Sequence, residues 1–333
     1  MNRLLLTVVL LSAFLPAFPP PAAAAQPLKV ALVTDVGKVD DHTFNEFAYK
    51  GMLKAAEEFG LKTSYIETLQ PTDYEKNIEQ FVNEGFAVII TVGFMLGDAT
   101  KRLAEKYPDK KFIIVEFAYD PPLPNVMGLL FAGDQSGFLG GALAGLMTRS
   151  KTVGIVAGKE IPPVVAFRRG YEAGVKYVCP DCQVLGVYID SFTDPARGKT
   201  AALSQMDEGA DVIFGAGGVT GSGAILGAAQ AGAWVIGVDQ DEYLTTFQEG
   251  RAEGAARVLS SAMKRIDVAV YDAVKMAVTD QFQGGAKVYD AAIDGVGLAP
   301  FHDAQPAIPA PVQAKLEEIA GGLKTGAIKT GVE

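Results

Sequence analysis

Stretches of strand length and stretches of helix length alternate along nearly the whole chain. Residues 28–34 (LKVALVT) form an unbroken apolar run, whereas the apolar residues of 44–59 recur at the spacing of one helix face. Strands joined through helices of about ten or more residues need crossover connections, which are right-handed and build parallel sheets. The alternation therefore predicts an α/β fold with parallel strands.

The alternation runs through the chain twice, from 28 to 147 and again from 152 to 238. With 333 residues, the chain exceeds the size at which one hydrophobic core usually keeps growing, so two doubly wound lobes are favoured. A long helix predicted at 257–278 and the segments after it would return the chain to the first lobe and then to the second. We expect a first lobe of residues 26–131 plus about 256–284, and a second lobe of residues 132–255 plus about 285–333.

The first 25 residues have the pattern of a signal peptide. Arg3 precedes an apolar stretch at 4–18 that is short for a membrane span and contains Pro16, and the alanines at 22–25 offer a cleavage site. We therefore expect export to the periplasm or another extracytoplasmic space, as a soluble protein that does not span the membrane. No cysteine lies near the cleavage site, so the sequence does not predict a lipid anchor.

The charge and the scarcity of reactive side chains exclude several classes of protein. The net charge of −10 repels phosphate backbones, so a nucleic-acid partner is not expected. The only histidines are His42 and His302, and no G-x-S-x-G, H-E-x-x-H, EF-hand or Walker motif is present. We therefore expect no catalytic residues, no metal and no cofactor.

The two cysteines stand in one C-P-D-C motif, as Cys179 and Cys182. A single pair supplies only two zinc ligands, and no further cysteine or histidine cluster completes a site. In an oxidising compartment the pair is expected to form a structural disulfide, with a redox function as the alternative.

Side chains just after the strands are the candidates for function, because ligands of open α/β sheets bind beyond the carboxyl ends of the strands. After the first strand, Asp41 and Asn45 can cap the next helix and face a cleft, and Phe44 either faces the cleft or packs on its own helix. Phe94 follows the third strand. Glu116 follows the fourth, either in the cleft or as a solvated loop acid.

A glycine-rich turn at 215–223 (GAGGVTGSG) follows another strand and opens a helix. The next strand ends at Asp239, so the unit has the context of a dinucleotide-binding fingerprint, in which an acid holds a ribose diol. The spacing departs from G-x-G-x-x-G because Thr220 takes the third glycine position. Glycines also allow close backbone approach to any small ligand, and Asp239 suits a vicinal diol in both cases.

The chain resembles the basic membrane protein family of ABC-transporter substrate-binding proteins, whose best-known members bind purine nucleosides. The resemblance covers about residues 29–298. It is carried by ordered motifs: VTDVGKVDDHTFNEFAYKG (33–51), ITVGFMLGDAT (90–100), KYPDKKFIIVE (106–116), NVMGLLFAGDQSGFLGGALAG (125–145), VGIVAGKEIPPVVAFRRGYEAGVKYV (153–178), SFTDPARGK (191–199), GADVIFGAGGVTGSG (209–223) and VIGVDQD (235–241).

The resemblance implies a type I periplasmic-binding-protein fold, with two lobes joined by a hinge of three crossovers, and an ABC permease as partner. It also implies a pocket in which a purine stacks between two aromatic rings and its ribose is hydrogen-bonded. The implied rings are Phe44 and Phe214, with Phe192 and Phe167 as rivals of Phe214. The other implied contacts are Asp41 and Asn45 at the base edge, Asp239 and the predicted helical Lys264 at the ribose, and the backbone of Gly217 and Gly218.

Other ligands are compatible with the same motifs. A free nucleobase would need the aromatic pair without Asp239, a sugar would need the acids and one ring, and an NAD-type oxidoreductase would use the glycine turn for a cofactor. Relatives usually carry aspartate where this chain has Glu116, and the longer side chain is expected to change the shape of the pocket. Relatives are often tethered by a lipid on a cysteine that this chain lacks.

Overall fold

The computed structural model describes residues 27–332, so the predicted signal peptide at 1–25 lies outside the described residues. The strands are β1 (Lys29–Val36), β2 (Lys62–Thr68), β3 (Val88–Val92), β4 (Lys111–Val115), β5 (Val126–Phe131), β6 (Thr152–Ala157), β7 (Gln183–Tyr188), β8 (Val212–Ala216), β9 (Trp234–Asp239), β10 (Val258–Lys264), β11 (Gly285–Tyr289) and β12 (Val296–Leu298). The helices are α1 (Phe44–Phe59), α2 (Tyr74–Asn83), α3 (Gly97–Lys106), α4 (Gly133–Met147), α5 (Pro162–Val178), α6 (Pro195–Asp207), α7 (Gly218–Gln230), α8 (Ile266–Val278) and α9 (Ala310–Thr325).

The strands form two sheets, one in each lobe. The first sheet has the order β11-β5-β4-β3-β1-β2 and is parallel throughout. The second has the order β12-β10-β9-β8-β6-β7, in which only β12 runs antiparallel. The predicted α/β fold with two doubly wound parallel-sheet lobes is confirmed.

Helices cover both faces of each sheet, which explains why the central strands are continuous apolar runs. In the first lobe, α1 and α8 pack on one face and α2 and α3 on the other. The five residues of β3 are all buried, as are those of β8 in the second lobe. The carboxyl ends of the central strands are therefore held rigidly at the edges that face the other lobe.

Close packing of α4 fixes the position of α5, whose first turn contributes to the cleft. A Cβ atom on Gly141 would lie 2.0 Å from the carbonyl oxygen of Tyr171, and one on Gly174 would lie 2.0 Å from that of Phe138. A larger residue at either position would push the helices apart. This contact accounts for the small residues in the sequence of α4.

The chain crosses between the lobes three times, between Phe131 and Gly133, between Lys264 and Ile266, and between Tyr289 and Ala291. These crossings correct the predicted boundaries, because β10 belongs to the second sheet and β11 to the first. The predicted long helix at 257–278 is a strand followed by α8. A short buried segment such as 258–264 (VLSSAMK) cannot be distinguished from part of a buried helix by periodicity alone.

Within residues 27–332, no helix combines the length and hydrophobicity needed to cross a bilayer.

Cys179 and Cys182 are joined by a disulfide at the end of α5, and the ammonium group of Lys176 donates to the carbonyl oxygens of Cys182 and Pro180 at 2.6 and 3.1 Å. The disulfide thus closes the loop between α5 and β7, in agreement with the expected structural bond.

Candidate functional site

A cavity lies between the lobes, at the carboxyl ends of strands from both sheets. The first lobe lines it with polar and aromatic residues at the end of β1 or after β1, β3 and β4, namely Asp35, Asp41, Phe44, Asn45, Phe94 and Glu116. The second lobe contributes Phe167, Phe192, Gly217, Gly218, Asp239 and Lys264. A molecule in this cavity would contact both lobes at once.

Most of the predicted site residues line this cavity, but Phe214 does not. Its side chain is fully buried within β8, where its ring stacks on Tyr171 at 5.1 Å and meets Phe167 at 6.1 Å. The prediction of Phe214 as a stacking ring is therefore wrong. Phe214 lies two residues before the end of its strand, and its side chain points into the core of the second lobe.

Asp41 caps α1 and uses both carboxylate oxygens for this. Oδ1 accepts the backbone N–H groups of Thr43 and Glu46 at 3.0 and 3.1 Å, and Oδ2 accepts the backbone and side-chain amide groups of Asn45, both at 3.0 Å. Burial raises the pKa of Asp41 in spite of these bonds. Its first role is to fix the turn that carries Phe44 and Asn45.

Asn45 is positioned by Asp41 so that its carbonyl oxygen is available. Because the Nδ2 amide donates to Asp41, Oδ1 faces away from that bond, and this buried oxygen has no hydrogen-bond partner in the described part of the chain. Buried polar atoms are normally paired. Asn45, which also lines the cavity, therefore offers an acceptor to a ligand donor.

Glu116 and Lys264 form a buried ion pair between the lobes. Their side chains are only 6% and 3% exposed, and the Lys264 ammonium donates to the Glu116 carboxylate. The ammonium also lies 4.3 Å from the centre of the Phe167 ring, a cation–π contact. Lys264 was predicted on a helix, but it is the last residue of β10, next to a crossing between the lobes.

Among the four acids that line the cavity, Asp239 is the one that accepts no hydrogen bond within residues 27–332. Burial raises its pKa to about 7, the charge of Lys264 lowers it, and those of Glu116 and Asp41 raise it, but no hydrogen bond within residues 27–332 contributes. Asp239 ends β9 with a φ of 64°, in the left-handed region. An unpaired carboxylate in this position is a strong acceptor for a ligand that carries hydroxyl groups.

The raised pKa of Asp239 predicts a pH-dependent stability. The folded protein holds a proton on Asp239 that the unfolded chain releases, so its contribution to stability is lost as pH rises from about 4 to about 7. We expect the ligand-free Asp239→Asn variant to exceed the wild-type melting temperature by more at pH 8 than at pH 5. Differential scanning calorimetry at both pH values measures this, and an equal difference at both would contradict the prediction.

Glu242, another buried acid near this strand, contributes to the same pH dependence. Burial raises the pKa of Glu242 to about 7, so it titrates in the same range. The charge of Asp239 is one of the causes that raise the pKa of Glu242, so Asp239→Asn also lowers the pKa of Glu242 and changes the difference in the same direction.

Four aromatic side chains among the described residues line the cavity. Phe44 comes from the first turn of α1, and Phe94 comes from the turn after β3, where it packs against Phe117 at 5.2 Å. Phe192 comes from the loop after β7 in the second lobe and is half-buried. Phe167 also lines the cavity, but its ring already faces the Lys264 ammonium.

The glycine turn after β8 brings backbone close to the cavity. Gly217 and Gly218 have φ values of 116° and 59°, and a Cβ atom on Gly217 would lie 2.6 Å from the backbone nitrogen of Gly158. These two positions therefore require glycine. They place the N-terminus of α7 at the cavity, as the sequence indicated.

The sequence interpretation missed several cavity residues. Asp35 follows the apolar part of β1, and the reasoning applied to Glu116 could have found it; burial raises its pKa, and it accepts hydrogen bonds from the Tyr74 hydroxyl and the Val36 amide. The apolar wall of Ile161, Pro163 and Val164 at the start of α5 carries no distinctive signal. Such residues resemble any other buried surface in a sequence.

A two-lobed α/β fold with a polar and aromatic cavity between the lobes defines a solute-binding protein that encloses a small ligand. The profile of the family described as Bmp, ABC transporter substrate-binding protein PnrA-like, matches residues 28–319. The chain belongs to this family of substrate-binding proteins, which agrees with the resemblance predicted from the motifs. Members of this family are extracytoplasmic binding proteins rather than enzymes.

Comparison with individual proteins agrees with this assignment. The chain is 33% identical to the CD4+ T-cell-stimulating antigen of Listeria monocytogenes over 90% of this chain and 87% of that protein. It is 32% identical to the ABC transporter nucleoside-binding protein BmpA of Lactococcus lactis over 81% of each chain. A crystal structure of an ABC transporter solute-binding protein from Aeropyrum pernix superimposes with a TM-score of 0.83 at 26% identity, covering 91% of this chain and 93% of that one.

Proposed function

We propose that this protein binds a purine nucleoside outside the cytoplasm and delivers it to the permease of an ABC importer. The observation that carries the proposal is the unpaired, buried carboxylate of Asp239, which shares one cavity with aromatic rings from both lobes. A nucleoside has both matching parts, a ribose diol and a flat base. The signal peptide expected at 1–25 would supply the export.

The ribose would bind at the end of β9. Two neighbouring hydroxyl groups can donate to the two oxygens of one carboxylate, and Asp239 is the carboxylate free to accept them. The Lys264 ammonium, held by Glu116, lies close enough to stabilise the ionised form of Asp239. Ribose binding would therefore provide the hydrogen bonds that Asp239 lacks in the free protein.

The base would stack between Phe44 of the first lobe and Phe192 of the second. Both rings line the cavity, and Phe192 is a better partner than Phe167, whose ring contacts Lys264. Stacking of a base on an aromatic side chain contributes about 1–3 kcal/mol. At the base edge, Oδ1 of Asn45 would accept from an N–H group of the purine.

The charges of the cavity favour a nucleoside over a nucleotide. Four acids, Asp35, Asp41, Glu116 and Asp239, line the cavity together with the single cation Lys264. A phosphate would add negative charge to this set without a free cation to pair with, which is a penalty against nucleotides. The Lactococcus lactis relative is described as a nucleoside-binding protein, which is consistent with a nucleoside as the ligand.

Calorimetric titration tests the proposal. The protein is first unfolded to remove any ligand that purified with it and is then refolded. We expect purine nucleosides (guanosine, adenosine, inosine) to bind with a Kd of about 1 μM, from two stacks and two charged hydrogen bonds less the ordering cost. Ribose, adenine and uridine should bind more weakly, and adenosine monophosphate at least about tenfold more weakly than adenosine. Tight binding of ribose alone would instead indicate a sugar-binding protein, and equal binding of adenosine and its monophosphate would contradict the charge argument.

A further inference from the structure

The lobes are also held together at the cavity mouth, by a contact that involves no cavity-lining side chain. Gln240 follows Asp239 directly and is 3% exposed. Its Nε2 amide donates to the carbonyl oxygen of Thr43 in the first lobe at 3.2 Å, and its Oε1 accepts from the Lys50 ammonium at 3.3 Å. Through these two bonds, the Gln240 side chain joins the second lobe to Thr43 and to Lys50 of α1.

Both ends of this contact are anchored. On the first lobe, Lys50 is held toward Gln240 by Glu46, one turn before it on α1, at 2.6 Å. On the second lobe, the carboxylate of Glu242 accepts from the hydroxyls of Ser222 and Thr246 at 2.7 and 2.6 Å and from the Val238 amide at 3.0 Å. The segment 239–242 is therefore fixed to α7 and β9 before it reaches across the cleft.

The partners of Gln240 belong to the same turns that form the cavity. Thr43 immediately precedes Phe44 and Asn45, and Asp239 immediately precedes Gln240. A ligand that draws Asp239 toward the turn of Phe44 and Asn45 brings Gln240 onto Thr43 at the same time. Because these hydrogen bonds join the two lobes, moving the lobes apart would break them, so they favour a closed state over an open one.

We propose that Gln240 is a closure residue, which sets how long a bound solute is retained without contacting that solute. The proposal depends on a solute that contacts both lobes in the cavity, and it holds for any solute that fits there. The nucleoside enters only as the probe of the experiment. Gln240 is a positioning residue, and it is absent from the side chains that line the cavity.

Stopped-flow dissociation of guanosine, adenosine or inosine, whichever binds wild-type protein most tightly, tests the proposal. Gln240→Ala removes two hydrogen bonds from the closed state, one neutral and one partly exposed. We expect its dissociation rate constant to rise about tenfold, while the association rate constant changes by less than about twofold. Gln240→Asn, one methylene shorter, should behave similarly. The matched control is Gln80→Ala, since the Gln80 amide bonds Glu84 within α2 and its loop and does not cross the cleft.

A purely local role of Gln240 would lower the melting temperature and leave the dissociation rate constant at the wild-type value, and that result would overturn the proposal. If wild-type protein binds none of the nucleosides, the proposed function fails and the closure proposal is tested without ligand. For this, spin labels at Lys101→Cys and Gln230→Cys, exposed helix positions in the two lobes, report the interlobe distance by pulsed electron paramagnetic resonance. A smaller closed fraction in Gln240→Ala than in wild type supports the proposal, and identical distance distributions overturn it.

Discussion

Asp239→Ala should weaken purine nucleoside binding by about 100-fold or more. The carboxylate of Asp239 lies at the cavity without a protein donor, so the hydroxyl groups of the ligand would supply its hydrogen bonds. Hydrogen bonds to charged groups contribute about 1.5–3 kcal/mol each, and two of them account for at least this loss. Isothermal titration calorimetry of the ligand-free proteins measures the change.

The thermal stability of Asp239→Ala should not fall together with its affinity for the nucleoside. Asp239 is a buried carboxylate without a hydrogen bond, so its removal relieves a desolvation penalty, and we expect the melting temperature of Asp239→Ala to be unchanged or higher at pH 7.5. Asp207→Ala, which removes an exposed aspartate on α6, serves as the matched control and should leave both affinity and stability unchanged.

A modified ligand makes the test specific for the diol. Inosine that lacks both the 2′- and 3′-hydroxyl groups should bind wild-type protein about 100-fold more weakly than inosine does, because the partners of Asp239 are missing. In Asp239→Ala the two ligands should differ little, since the carboxylate and the hydroxyls belong to one interaction. If the two losses simply add, Asp239 does not bind the diol.

Most of the fold could be predicted because each element is set by local pattern. Continuous apolar runs identify the strands that helices bury on both faces, as in β3 and β8. The interpretation was wrong where two elements meet without a turn residue, as at Lys264, where a buried strand passes directly into α8. The mistaken boundary followed from that, because one misread strand moved residues 258–264 to the other lobe.

The candidate site was predictable to the extent that it follows from strand ends. Residues at the last position of a strand or just after it, such as Glu116 and Asp239, reach the cavity, whereas Phe214, two positions earlier, faces the core. Contacts between lobes could not be predicted in this way. The bonds of Gln240 to Thr43 and Lys50 depend on how two separately folded lobes face each other, and no local pattern encodes that arrangement.

The cavity also shows why polar strand ends are stable in this protein. Four hydrogen bonds at the start of α1 stabilise the Asp41 carboxylate, and Glu116 is paired with Lys264. Asp239 is the exception among the acids that line the cavity, because it accepts no hydrogen bond within residues 27–332, and the proposed function assigns that role to the ligand.

Lys264→Met should lower the free energy of unfolding by about 3–5 kcal/mol, because it leaves Glu116 as a buried charge without its partner. The double variant Glu116→Gln/Lys264→Met buries no charge at this position and should recover most of the loss. Urea denaturation followed by circular dichroism, without ligand, gives both values. Lys287→Met is the control, since Lys287 pairs with Asp272 at 3.5 Å with both side chains more than a third exposed, and loss of such a pair changes stability by less than about 1 kcal/mol. A loss for Lys264→Met as small as that of the control would show that water reaches Glu116 and that the pair does not hold the lobes together at the crossing.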